Sequence, residues 1–161
     1  MIDLGKDVFV ISHRLYSSKL EYLGIAAAGA GFCKEISEQH KVEIDFNAED
    51  LPEGMPYEIS LCLFRVLQEA LHNAVKYAGV RHFAVALRGG PDEVELQVVD
   101  HGIGFDPAAA MRSHGLGLIS MQERLSLVKG QIFIESRVGG GTRVRARVPY
   151  VSGDSMAEAV G

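Results

Sequence analysis

The sequence predicts an α+β fold, a two-layer α/β sandwich in which helices cover one face of a single sheet. Three observations carry that prediction. Five segments alternate apolar and polar residues with a period of two. Two glycine-rich turns join four of those segments in pairs. An amphipathic helix rich in apolar residues stands between the first strand and the other four.

In chain order, SKLEYLGIAAAGAGFCKEISEQ (18–39) reads as a helix despite three glycines, with Leu20, Leu23, Ala27, Phe32 and Ile36 on one face. KVEIDF (41–46) alternates strictly, Val42, Ile44 and Phe46 against Lys41, Glu43 and Asp45, which is a strand with one buried face. The stretch NAEDLPEGMP then breaks the chain, and Pro56 opens a helix that Gly79 stops after Ala78. HFAVALR and EVELQVV flank the turn GGPD; QIFIES and TRVRARV flank RVGGG. Between the hairpins lie DHGIGFDPAAAMRSHGLGL and a short helix over about 119–128. The final stretch, 151–161, reads as a frayed tail.

On the strands, Glu93, Glu95, Glu135, Arg143, Arg145 and Arg147 share one side, where opposite charges can pair across strands. Val94, Leu96, Val98, Ile132, Ile134, Val144 and Val148 share the other and face the helices. Three alternating arginines do not make a nucleic-acid surface here, because glutamates stand beside them and the formal net charge is -5.

The 161 residues suit one domain. At 47% hydrophobic and 23% charged residues, with no apolar run long enough to cross a bilayer, the expected setting is the cytoplasm, without direct membrane contact. MIDLGKDVFVISHRL carries charges on both sides of a very short apolar stretch and does not resemble a signal peptide. Cys33 and Cys62 make no CxxC pair and are expected as buried free thiols.

Two features exceed what a core needs. Arg65, Glu69, Asn73 and Lys76 follow one another at helical spacing and form a polar stripe along an apolar helix. The segment 100–118 is a long irregular connection with Gly102 and Gly104 at its start and Gly115 and Gly117 at its end, the pattern of a hinged lid over a pocket. Standard nucleotide fingerprints fail: Pro107 stands where a dinucleotide fold requires glycine, and no GxxxxGK[ST] occurs.

Four segments in one order, EALHNAVKYA on a helix, DHGIGF after a strand, GLGL opening a helix and GGGT entering the last strand, together resemble the ATP-binding domain of bacterial sensor histidine kinases. The fold so implied is the Bergerat type shared with gyrase, heat-shock-90 and mismatch-repair ATPases, with a mixed sheet. The resemblance covers residues 40 to 149 and implies ATP and Mg2+ as ligands. By position, Asn73 resembles the asparagine that binds magnesium, a hard cation for which one amide oxygen beside a triphosphate is adequate. Lys76 would supply positive charge to the phosphates, and Glu69 would order the water around the metal. Asp100 resembles the aspartate beneath adenine, whose exocyclic amine it accepts. Gly102 and Gly104 would bring backbone against the base; Gly115, Leu116, Gly117 and Leu118 would bring amides at a helix start against the phosphates. Thr142 resembles the threonine that holds the aspartate and a water near adenine. Tyr77 departs from the histidine common at its position.

A histidine kinase also needs an acceptor histidine on a dimerising helical hairpin. His13 is followed by Arg14 rather than by an acidic residue, and only one helix fits between it and Lys41. VISHRLYSSKLEYLG instead resembles the end of the second hairpin helix and the junction in nitrate- and membrane-fluidity-sensor kinases. The division so implied is 1–39 for hairpin end, junction and first helix, 40–150 for the ATP-binding domain, and 151–161 for the tail. The expected activity is transfer of the γ-phosphoryl group to a histidine supplied elsewhere; the expected partners are a response regulator and a second copy joined through the hairpin. The alternative is an anti-sigma-factor serine kinase of the same fold.

Overall fold

The computed structural model describes residues 4–112 and 117–150, with side chains described for 19–110 and 117–150. Its elements are α1 (Leu4–His40), β1 (Glu43–Glu49), α2 (Tyr57–Tyr77), β2 (His82–Gly89), β3 (Glu93–Asp100), α3 (Pro107–Arg112), α4 (Leu118–Ser126), β4 (Gln131–Ser136) and β5 (Thr142–Pro149). The strands form one mixed sheet in the order β1-β2-β3-β5-β4, with β1 parallel to β2 and every other pair antiparallel.

The alternation seen in the sequence sets the two layers. Val94, Leu96, Val98, Val144 and Val148 are buried beneath the helices, while Ile132 and Ile134 are partly buried against the same core. On the opposite side Arg147 Nε donates to Glu95 at 2.6 Å and Arg145 to Glu135 at 2.8 Å. Both guanidinium groups lie over the Phe133 ring, Arg147 at 5.3 Å and Arg145 at 5.5 Å from its centroid. The charged face is thus a set of cross-strand pairs, as its pattern predicts.

Helix α2 begins after Pro56, which preorganises the first turn, and carries Glu58 in its first turn and Lys76 in its last, each at the favourable end of the helix dipole. Ala78 closes it by donating to Ala74 at 3.0 Å, and Gly79 takes the left-handed φ of 73° that ends the helix. Its inner face, including Leu63, Val66, Leu67 and Leu71, is fully buried. Cys33 and Cys62 are buried free thiols whose pKa values burial pushes up to about 12 and about 11.

Three boundaries differ from the sequence expectation. The first helix begins at Leu4 and is broken at Gly24, which sits at φ 85°, ψ 173°; the run 18–39 is therefore not one straight helix. Strand β1 starts at Glu43 and continues through Asn47, Ala48 and Glu49, because parallel pairing to β2 holds those residues in the sheet. The connection 100–118 contains α3 and is pinned by Phe105 and Ala110 against the core.

Candidate functional site

Between α2, the α3 and α4 segments, and the ends of β3 and β5 lies a cleft of about 600 Å³, a size that accommodates a small organic ligand. Val98, Val144, Ile103, Phe105, Leu118 and Met121 give it apolar walls, and Asp100 supplies a carboxylate at its floor. A second cleft of about 640 Å³ adjoins it and is lined by His40, Glu69, His72, Lys76 and Gly117. Asn73 and Tyr77 line both. Side by side, the first is the apolar end of the site and the second the polar end.

Asp100 is the last residue of β3 and is only 5% exposed. A buried carboxylate needs donors, and one of its oxygens accepts from the Gly102 amide at 2.9 Å. Burial nevertheless raises its pKa above the ordinary value, against the opposing pull of that amide, of His101 and of a backbone hydrogen bond at Thr142. An acidic group so perturbed within an apolar cleft marks a functional position.

Thr142 opens β5 directly opposite Asp100, and Ser136 ends β4 directly opposite Thr142. The three form one row across neighbouring strands on the helix-covered side. Ser136, which lines neither cleft, is a neighbour of Thr142 that sequence reasoning missed. Its Oγ accepts from the Phe105 amide at 2.9 Å, donates to the Gly141 carbonyl at 3.0 Å and lies 2.8 Å from Thr142 Oγ1.

Of the helical stripe, Glu69, Asn73 and Lys76 line the polar end, whereas Arg65 lies a turn away, its pKa lowered by burial and by Arg124. Among the described residues no ion pair joins Arg65 to Glu69. The Lys76 ammonium stands 5.2 Å from the Tyr77 ring centroid. His72, read from sequence as helix surface like Tyr77, packs edge-on against Phe32. Burial and His40 lower its pKa, and Glu69 raises it.

The glycines have a reason the sequence did not reveal. A methyl at Gly102 would overlap the Ala78 carbonyl, and one at Gly104 would overlap the Arg137 carbonyl. These close approaches join the loop to protein backbone: Ile103 donates to Ala78 at 2.9 Å, and Gly139 donates to Ile103 at 2.6 Å. Gly117, at φ 62°, precedes α4 with its α-carbon against the Glu69 carboxylate. Leu118 is buried at the start of α4, and Gly115 and Leu116 lie outside the described residues.

The polar end can take a hard cation only as a shared guest. Asn73 and Glu69 bring oxygen donors to one cleft, and among the described residues no group of three His, Cys, Asp or Glu side chains could hold a metal alone. A donor set so sparse fits magnesium, which keeps its waters and takes its remaining oxygens from phosphates.

Residues 58–152 match the model of the histidine kinase-, DNA gyrase B- and HSP90-like ATPases. The chain belongs to this ATPase family. Within it, this ATPase domain is similar to sensor histidine kinases. It is 34% identical over 149 residues to the oxygen sensor histidine kinase NreB of Staphylococcus carnosus (strain TM300), covering 92% of this chain and 43% of that protein. The chain therefore spans less than half the length of that relative. Its fold is that of the histidine kinase domain of the Erythrobacter litoralis EL346 blue-light activated histidine kinase, with a TM-score of 0.69 at 19% identity over 87% of this chain and 72% of that one. Full-length ShkA, solved in complex with AMPPNP, aligns with a TM-score of 0.63 at 20% identity over 80% of this chain and 30% of its own.

Proposed function

We propose that this ATPase-family domain binds ATP with magnesium and is the catalytic part of a sensor histidine kinase, presenting the γ-phosphoryl group to a histidine on a dimerisation hairpin outside residues 1–161. The observation that carries the reading is the joined pair of clefts: apolar walls over a buried Asp100 at one end, Asn73, Glu69 and Lys76 at the other. An adenine fits the first, since its exocyclic amine donates to Asp100 while its faces lie between Ile103, Val98 and Met121. The polyphosphate fits the second, where Lys76 offsets charge in a chain whose net charge is negative.

Magnesium, when bound, would neutralise phosphate charge and fix the orientation of the transferable group. The chain's own contribution is positioning. Asn73 offers its amide oxygen to the cation, Glu69 accepts hydrogen bonds from water around it, and Lys76 contacts the phosphates. Gly117 and the preceding Gly115 and Leu116 offer backbone amides to the same group. Residues 1–39 serve as hairpin end, junction and first helix, residues 40–150 as the ATP-binding domain and 151–161 as a tail.

A response regulator receives the phosphoryl group from the histidine, and two copies meet through the hairpin. The domain works on the cytoplasmic side; no helix among the described residues is long and apolar enough to cross a membrane. No observation favours the serine-kinase alternative.

The test has two arms. Calorimetric titration with ATP, with and without magnesium, should give saturable binding that magnesium strengthens. Incubation with labelled ATP and a separately produced dimerisation hairpin of the full-length protein should place acid-labile, base-stable label on the hairpin. Absence of nucleotide binding would overturn the site, and binding with no such label would overturn the kinase reading alone.

A further inference from the structure

The row Asp100, Thr142, Ser136 contains a hydroxyl whose hydrogen bonds can be counted. Ser136 Oγ is within hydrogen-bond distance of the Phe105 amide at 2.9 Å, the Gly141 carbonyl at 3.0 Å and Thr142 Oγ1 at 2.8 Å. A hydroxyl has one hydrogen and two lone pairs. The Phe105 amide can only donate, so it takes one lone pair. The Gly141 carbonyl can only accept, so it takes the hydrogen. What remains toward Thr142 is a lone pair, and Thr142 must therefore be the donor of that contact. In the opposite arrangement, with the Ser136 hydrogen given to Thr142, two oxygens would face each other at 3.0 Å with no hydrogen between them.

Thr142 lines the apolar cleft with Asp100 and sits opposite it in strand register. With its only hydrogen committed to Ser136, its oxygen can offer the cleft nothing but lone pairs. We infer that Ser136 is a specificity-determining positioning residue: by taking the Thr142 hydrogen it makes Thr142, like Asp100, an acceptor, so that this edge of the site selects a 6-aminopurine and rejects a 6-oxopurine. This rests on the reading of the cleft as a purine-nucleotide site. A 6-amino group or a water bridging to it brings hydrogens to both acceptors. A 6-oxo group brings another lone pair into a buried corner already lined by two acceptors.

Ser136 does not touch the ligand; it acts through Thr142. Ser136→Ala frees the Thr142 hydroxyl to turn and donate, whereas Ser136→Thr retains the controlling hydroxyl. The ratio of ATP to inosine triphosphate affinity, measured by calorimetry, should fall roughly fivefold to tenfold in Ser136→Ala, the size of one hydrogen bond. It should stay at the wild-type value in Ser136→Thr. In a Thr142→Val background, Ser136→Ala should leave the ratio unchanged, because the hydroxyl through which it acts is gone. Should Ser136→Ala fail to fold, Ser136→Cys, a weaker donor and acceptor of similar size, carries the same test with a smaller shift in the same direction.

A mere loss of packing would weaken both nucleotides equally and leave the ratio where it was; that result, in a wild type that binds ATP, overturns the role of Ser136 and leaves the site standing. A ratio that shifts as much in the Thr142→Val background also overturns it. A wild type that binds neither nucleotide overturns both this inference and the site beneath it.

Discussion

The two adjacent clefts are held by different kinds of structure. At the apolar end, Asp100, Thr142 and Ser136 sit in register on three adjacent strands, and their polar atoms are tied to Gly102, Gly141 and Phe105. At the polar end, Glu69, Asn73 and Lys76 project from one helix face, and Lys76 is exposed. The first arrangement fixes donor and acceptor positions before a ligand arrives, which suits discrimination between bases. The second includes an exposed lysine on a flexible stem, which suits a charged group whose position is not fixed in advance.

Asp100→Asn should break the contrast most severely. Loss of the charged acceptor is expected to lower ATP affinity on the order of a hundredfold by calorimetry, while the thermal midpoint of the free protein rises. The sign follows from the raised pKa. A carboxyl that is harder to ionise in the folded state contributes stability that is complete below its ordinary value of 3.8 and is lost as pH climbs through the folded value. An amide at this position abolishes that loss. For the same reason ATP affinity in the wild type should decline as pH is lowered toward the raised Asp100 value.

Asn73→Ala attacks the other end. About a tenfold loss of affinity is expected with magnesium present and almost none in its absence; equal losses in both conditions would remove Asn73 from the metal. Lys76→Ala should weaken ATP a few-fold, by an amount that shrinks as salt is added, and leave adenosine binding untouched. Equal loss for adenosine would mean that Lys76 shapes the cleft rather than meeting the phosphates. Smallest of all, Glu135→Ala on the far side of the sheet should move neither ATP affinity nor the thermal midpoint measurably, since the Glu135 side chain is itself 56% exposed.

What the chain disclosed before its structure was known follows the strength of local signals. The strands were legible because one face is buried, so Val94, Leu96 and Val98 alternate without exception with Glu95 and Gln97. The helical stripe was legible because helix geometry is local, and three of its four members do share a cleft. Ser136 was not, because its importance depends on standing opposite Thr142 across a hairpin, and register is not written in composition. At Gly102 and Gly104 the atoms that exclude a side chain belong to Ala78 and Arg137, neighbours that no local pattern names. Helix α3 escaped notice because PAAAMR is too short to show a period.

A break in the first helix lies outside the set of residues that line the clefts. At Gly24 the first helix departs from helical angles, yet no atom stands within 4 Å of where a side chain would project. The break thus rests on the dihedrals of one residue, while Leu20 and Ile25 on either side of it are buried in the core. Such an elbow is held by its anchored flanks, and an alanine there, strained at φ 85°, would press toward a continuous helix that those flanks oppose.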